Sequence, residues 1–321
     1  MPNLNFSNSN ILVTGGTGFI GSHLVEELVK LKARVIATRH TIDSDAYYFT
    51  RKLDKKAITI RCNVCQFYKV YQLVTKYHID YIFHLAAQPL VEVAYRAPSQ
   101  TLYTNILGTI NVLESARITP KVKAVVVASS DKAYGKLEKD KYLETDPLLG
   151  DHPYEVSKSS ADLIAASYFK TYNLPVVVTR FGNIYGEGDI HYSRILPGIL
   201  KAAVKGETLK IRSNGQYVRD YLYVKDVIRG YLLLCRNIEK VKGEAFNFGS
   251  DETLSVIELI NLIEKSFNKK LKYKILNIVK NEIPYQSLDF SKIKHLLKWK
   301  PEYRLKDILP KVYSWYKKAL T

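Results

Sequence analysis

The sequence predicts an α/β protein, a doubly wound parallel sheet with a smaller mixed α/β lobe toward the C-terminus. Three observations carry that expectation. Short runs of Val, Ile, Leu and Phe recur through the first 180 residues without polar interruption, as in strands covered on both faces. These runs alternate with stretches of helical period, the alternation that builds parallel sheets. After Arg180 the rhythm changes, and Gly182 to Tyr192, rich in glycine and tyrosine, reads as a loop.

The elements follow in order. Ile11 to Val13 is a strand, and after a glycine turn a helix runs to Leu31. Strands are expected at Ala33–Thr38, Ala57–Cys62, Tyr81–Leu85, Ala124–Ala128 and Val176–Thr179. Helices are expected at Gln66–Tyr77, Ser99–Ala116 and Tyr154–Tyr172. In the second lobe Ser193–Lys205, Val224–Cys235 and Ser255–Ser266 read as helices, and Leu209–Ile211 and Ala245–Phe248 as strands. Lys272–Leu276, Ser291–Leu297 and Leu305–Ala319 complete it. With no repeat and no low-complexity tether, the lobes are expected to interleave: residues 1–182 with about 224–250, and 183–223 with 251–321.

Composition narrows the class. The 321 residues, 46% of them hydrophobic, suffice for a substantial core. No run approaches the ~18 apolar residues of a membrane span. Met1 to Asn10 is polar and has no signal-peptide pattern. The net charge of +17 comes from lysines scattered among Asp and Glu, which reads as a solvated surface rather than a nucleic-acid or membrane footprint. A positive field also suits an anionic substrate. Three cysteines make no disulfide framework, so a reducing cytoplasm is expected. Cys62 and Cys65 form a lone C-x-x-C without a second pair for zinc, and the seven histidines are dispersed, so no metal is expected.

The first chemical signal is the turn after the first strand. Gly16, Gly18 and Gly21 have the G-x-G-x-x-G spacing, and Gly15 adds one more glycine. Glycine is needed there for a tight turn, for close backbone approach to a pyrophosphate, and for helix–strand contact. The following helix directs free N–H groups and its positive end at the phosphates. Placed between strand and helix, the pattern reads as a Rossmann-like dinucleotide site.

Tyr154 and Lys158 form the second signal. Pro153 suits a first helical turn, so the two lie one turn apart on one face. A phenol at its ordinary pKa of ~10 is a poor base, and lowering it by about three units requires roughly 4 kcal/mol. One positive charge at ~4 Å and an effective dielectric of ~20 supplies about that much. A tyrosinate so held can take a proton from a sugar hydroxyl while hydride leaves the same carbon. The same spacing also suits the surface of a plain amphipathic helix. Ser129, Ser130, Asp131 and Lys132 follow a buried strand, where open α/β sheets place their ligands. Simple capping of the strand end would explain the two serines equally well.

These residues stand among motifs resembling the extended short-chain dehydrogenases/reductases of the nucleotide-sugar epimerase/dehydratase family. The motifs are T-G-G-T-G-F-I-G at the start, H-L-A-A at His84–Ala87, N-x-x-G-T at Asn105–Thr109 and S-S-D-K-A-Y-G at Ser129–Gly135. Y-x-x-x-K at Tyr154–Lys158, R-F-G-N-I-Y-G at Arg180–Gly186 and R-D-Y-L-Y-V-K-D at Arg219–Asp226 complete the set in family order.

The resemblance implies roles. Ser130, Tyr154 and Lys158 match the catalytic hydroxyl, base and lysine. Gly15, Gly18, Phe19, Ile20 and Gly21 would cradle the dinucleotide. Leu85, Ala86 and Ala87 would line its nicotinamide ribose, Asn63 and Val64 its adenine, with Asn105 and Ser129 in the same site. Asn183 and Arg219 match groups that hold the diphosphate of a nucleotide sugar, and Gln88 and Arg194 join them. The helices near 99–116 and 154–172 match those that form the family's homodimer.

Asp131 and Lys132 bear on the reaction. In hexose 4,6-dehydratases, oxidation at C4 makes the C5 proton acidic, and loss of water from C6 then needs a proton donor and a base. Many such enzymes carry Asp-Glu here, whereas C4-epimerases have no ionisable pair. The run from Ser130, with Ala86-Ala-Gln-Pro-Leu upstream, is similar to CDP-glucose 4,6-dehydratases. Asp131 is assigned as acid to the leaving hydroxyl. Lys132 stabilises an enolate, acts as base, or only pairs with Asp131. The alternative reaction is epimerisation or C4 oxidation without water loss. A non-enzymatic dinucleotide-binding regulator, or a nucleic-acid-associated protein, is the alternative outside catalysis.

The cofactor reading has two sides. An acid at the end of the second strand would bind the adenosine ribose and favour NAD. That position holds Thr38-Arg39-His40. Arg39 could meet the 2′-phosphate of NADP, stack on adenine, or face solvent. The resemblance implies NAD.

Overall fold

The computed structural model describes residues 6–41, 43–278 and 283–321. Its strands in chain order begin with β1 Asn10–Thr14, β2 Arg34–Arg39, β3 Ile58–Arg61, β4 Tyr81–His84, β5 Ala124–Ala128, β6 Lys141–Tyr142 and β7 Val176–Phe181. They continue with β8 Asn183–Tyr185, β9 Leu209–Ile211, β10 Val218–Tyr223, β11 Ala245–Phe248, β12 Thr253–Ser255, β13 Tyr273–Ile275 and β14 Tyr285–Leu288. The chain divides into two compact units. The first holds Met1–Leu137, Glu144–Arg180 and Ile228–Asn247; the second holds Glu138–Leu143, Phe181–Val227 and Phe248–Thr321.

In the first unit a seven-stranded sheet has the order β11-β7-β5-β4-β1-β2-β3. β1 pairs in parallel with β2 and β4, β2 with β3, β4 with β5, and β5 with β7. The chain steps outward from β1 to β3, then returns to put β4 on the other side of β1. Strand order therefore reverses between β1 and β4, and ligands of open α/β sheets bind outside the carboxyl ends at such a reversal. The turn after β1 and the segment after β4 meet there.

Unbroken apolar runs make this sheet because both faces are covered. Leu12, Ile36, Ile82 and Val125 are fully buried against Val74, Val112 and Leu113. Each is worth roughly 1.5–3 kcal/mol in burial. The helix expected over 99–116 is not continuous. Pro98 begins one helix, Pro98–Leu102, a π-helical turn occupies Tyr103–Leu107, and Gly108–Arg117 continues as α-helix. A π turn carries one extra residue and marks functional positions with some frequency. Here it carries the buried Asn105.

The second unit contains strands that the sequence pattern did not mark. β8 lies inside the presumed loop 182–192 and pairs in parallel with β10, Asn183 opposite Tyr221. β10 also pairs with β12 and β14, and β14 with β6. These pieces are two to six residues long, too short for a period to show, and only their partners make them strands. Helix Val256–Phe267 starts with a capping box in which Ser255 and Glu258 each bind the other's backbone N–H. Trp299 is buried against Phe248, ring centroids 4.8 Å apart. Among the described residues no helix is long and apolar enough to cross a membrane.

Candidate active site

The glycine turn is shaped by contacts no side chain would allow. Gly15, the first residue after β1, has φ +66°, a region that costs an L residue strain. A Cβ on Gly15 would lie 2.9 Å from the Ala86 backbone, and one on Gly21 would lie 2.2 Å from the Gly15 carbonyl oxygen. The turn, the next helix and the 85–87 segment thus approach backbone to backbone. Helix Phe19–Lys30 starts after Gly18 with no side-chain cap and no acidic residue in its first turn. Phe19 and Ile20 occupy that first turn. The unbonded N–H groups and positive dipole of such an end suit a diphosphate.

A buried hydrogen-bond relay fixes the opposite wall. The Thr109 hydroxyl donates to the Asn105 carbonyl at 2.6 Å, so toward His84 it can only accept. The His84 Nε2–H therefore donates to it at 3.2 Å, and Nδ1 accepts from the Thr14 hydroxyl at 2.7 Å. The Thr14 oxygen then receives the Leu85 and Ala86 N–H groups at 3.1 and 3.2 Å. Burial first, and then the charge of Lys158, push His84 down to about 3, so the ring is neutral as the relay requires. His84, Thr14 and Thr109 were not singled out from sequence. The signal was there in H-L-A-A and N-x-x-G-T, but a relay across 70 and 25 residues has no spacing to read.

The chemical end lies past β5. Ser130 caps a 3₁₀ turn over Asp131–Tyr134, its Oγ accepting from the Lys132 N–H at 3.2 Å. The same hydroxyl donates to Asp131 Oδ1 at 2.8 Å, and Lys132 Nζ stands 3.6 Å from Asp131 Oδ2. The Asp131–Lys132 pair foreseen as a plain structural role is thus present, whereas of the two serines only Ser130 caps, and it caps the 3₁₀ turn. Tyr154 and Lys158 lie on helix Pro153–Tyr172, with Lys158 Nζ 6.0 Å from the phenol ring centroid. Lys158 is buried and donates to the Ala128 carbonyl at 2.8 Å. Burial pushes its ammonium down to about 8 against the opposing pull of Asp162. Asp162 is itself held by Arg180 through two contacts of 2.8 and 2.9 Å.

These features fit a dinucleotide. The cradle closes if Gly15 or Gly21 gains a Cβ, and the helix end lacks an acceptor. The buried Ser129 Oγ has no hydrogen-bond partner among the described residues. The sequence profile of the NAD dependent epimerase/dehydratase family matches residues 11–249. The chain belongs to that family.

A probable dTDP-glucose 4,6-dehydratase of Sinorhizobium fredii is 29% identical over 326 residues, 95% of this chain and 92% of the relative. A CDP-glucose 4,6-dehydratase of Salmonella typhimurium is also 29% identical, over 97% of this chain and 91% of the relative. The solved UDP-glucose 4-epimerase of Thermotoga maritima superposes with a TM-score of 0.88 at 30% identity, covering 97% of this chain and 100% of that one. The dTDP-glucose 4,6-dehydratase of Streptomyces venezuelae, solved with NAD bound, also gives 0.88, at 27% identity over 96% of this chain and 97% of that one.

The remaining epimerase/dehydratase positions fall in several places. Asn63 forms an Asx turn, its Oδ1 accepting from the Cys65 N–H at 3.0 Å. Val64 is buried, and its carbonyl is held by Asn111 at 2.9 Å. Burial pushes the Cys62 and Cys65 thiols up, away from the thiolate that redox chemistry needs. Asn105 ties the Gln88 backbone to Ser157 Oγ, at 2.8 and 2.9 Å. Gln88 uses its own amide on Leu90 and Thr101. In this structure both amides hold the 88–90 segment. Asn183 on β8, Arg219 on β10 and Arg194 belong to the second unit. Arg194 pairs there with the buried Asp189 at 3.0 Å.

Proposed function

We propose that this chain is a nucleotide-sugar 4,6-dehydratase holding NAD, of the kind named among its relatives, with CDP-glucose as the first substrate to test. The observation that supports dehydration is the buried Asp131, bonded to the Ser130 hydroxyl and beside the Lys132 ammonium. It lies in the same unit as Tyr154 and Lys158.

The glycine turn, the end of helix Phe19–Lys30 and the His84-fixed segment bind the dinucleotide. What the dinucleotide supplies when bound is hydride exchange with a sugar carbon. Tyr154, as phenolate, takes the proton of the C4 hydroxyl, and Ser130 orients that hydroxyl. Lys158 supplies the neighbouring charge that favours the phenolate. Once C4 is a ketone, the C5 proton is acidic. Proton transfer from the Lys132 ammonium to Asp131, 3.6 Å apart, leaves a neutral amine and a carboxylic acid: the amine takes the C5 proton and, as ammonium again, stabilises the enolate oxygen, while Asp131 gives its proton to the C6 oxygen, which leaves as water. The C5–C6 double bond then accepts the hydride at C6 and a proton at C5 from Lys132. Asn183, Arg194 and Arg219 hold the diphosphate of the sugar nucleotide.

The second reading is C4 epimerisation, which the likeness to the Thermotoga maritima epimerase supports. The two separate by mass and by mutation. Incubation with CDP-, GDP-, UDP- and dTDP-sugars should yield one product lighter by one water. Asp131→Asn should lower its formation by about 10²–10⁴-fold, the range for a positioned acid, while C4 oxidation persists. Unchanged formation would remove Asp131 from the role, and a mass-neutral product would favour epimerisation.

The chain further forms a homodimer through the helices at 98–117 and 153–172. Supporting this, Tyr103, Leu163 and Tyr172 on those helices are more than half exposed, at 65%, 59% and 55%.

A further inference from the structure

The end of β2 departs from what a ribose 2′-hydroxyl calls for. A dinucleotide site of this kind places an acid about 20 residues after the glycine turn, where a carboxylate accepts hydrogen bonds from the adenosine ribose. Here β2 ends on Arg39, followed by the exposed His40. The strand end belongs to the cradle. Thr38 Oγ1 accepts the Gly15 N–H at 3.1 Å, and a Cβ on Gly16 would lie 2.8 Å from that of Ala37.

A second arginine lies opposite the first on the neighbouring strand. β2 and β3 pair in parallel with Arg39 opposite Arg61, and the Cys62 N–H donates to the Arg39 carbonyl at 2.9 Å. Arg39 is half-buried and Arg61 exposed. Among the described residues neither guanidinium is engaged by an acid. The next carboxylates along the chain are turned to local use: Asp43 Oδ1 accepts the Asp45 N–H at 3.0 Å, and Asp45 Oδ1 accepts the Ser44 hydroxyl. Two adjacent like charges at one strand end are unfavourable unless an anion joins them. A guanidinium fork matches a phosphate in shape and number of donors.

We infer that the adenosine end of this site is built for a 2′-phosphate, so that the chain takes NADP as well as NAD and holds NADP the more tightly, with Arg39 as the specificity-determining residue and Arg61 as its support. The inference rests on the dinucleotide reading above and deepens it. A phosphate monoester adds a charge of about −1.5 to −2 at neutral pH, and the chain's net +17 adds a favourable background.

The test is binding, independent of turnover. The full chain, freed of any co-purified dinucleotide, is titrated calorimetrically with NAD, NADP, ADP and 2′-phospho-ADP. The phosphorylated member of each pair should bind about tenfold more tightly or better, the factor one charge-assisted hydrogen bond supplies. That preference should shrink as salt rises toward molar concentration. Arg39→Asp should reverse the preference in favour of NAD. Arg39→Ala should abolish it while ADP binding persists, which shows the variant folded. If NAD binds and the 2′-phosphate brings no gain, the inference is overturned and the dinucleotide reading stands. Should neither dinucleotide bind, both fall.

Discussion

Replacing Lys158 by methionine keeps most of the side chain's length and removes its charge. In the folded protein burial holds this ammonium at about 8, against an ordinary 10.5. That lowering corresponds to roughly 3 kcal/mol of destabilisation while the group is protonated. Methionine removes that penalty but leaves the Ala128 carbonyl without its donor, a loss of about 1–3 kcal/mol. The variant should therefore be more stable than the parent at pH 7 by about 1 kcal/mol, a rise in Tm of a degree or a few. A lysine with a lowered pKa binds more protons unfolded than folded between 8 and 10.5. The parent's penalty is thus complete below pH 8 and fades as pH rises toward 10.5. Thermal unfolding of both proteins across that window should show the gap closing and then inverting, while kcat falls about 10²–10⁴-fold. A variant less stable at pH 7 by a margin that stays constant with pH would refute the assignment of a buried, strained charge. Undiminished kcat would refute its role beside Tyr154.

Two further outcomes follow from the structure. Thr109→Val keeps the shape but leaves the buried His84 Nε2–H without an acceptor, so stability should drop by about 1–3 kcal/mol and dinucleotide affinity should fall as Leu85 and Ala86 loosen. Thr109→Ser should retain both, as read by thermal melts and calorimetry, and a Val variant as stable as the parent would dissolve the relay. Light scattering should return twice the chain mass of 36.7 kDa, and Leu163→Glu should convert it to a single-chain mass. A parent that runs as a single chain would refute the helix-pair interface.

Much of the fold was readable because its determinants are local. The apolar runs of β1, β2, β4, β5 and β7 are contiguous residues, and burial on both faces leaves no polar alternation in them. Gly15, Gly16, Gly18 and Gly21 announced their turn by spacing alone, and Tyr154 and Lys158 their shared helix face. The short strands β6, β8, β12 and β14 were not readable, since two to four residues carry no period. β10 is longer, but it is a strand through its pairing with β8, β12 and β14. The break in the helix was not readable, since one continuous helix was expected over Ser99–Ala116. The π turn at Tyr103–Leu107 depends on what Asn105 must reach.

The parallel sheet, the glycine cradle, the order of the chemical residues and the arginine at the end of β2 were all legible along the chain. They were so because strand burial, turn conformation and helical spacing are set by neighbours along the chain. Folding alone settled that the Asn105 and Gln88 amides both hold the 88–90 segment, that His84 is neutral with its proton on Nε2, and that Arg61 lies opposite Arg39. Each of these depends on groups brought together across tens of residues. Hydrogen-bond donors and charges find their partners by distance in space, which the order of residues does not record.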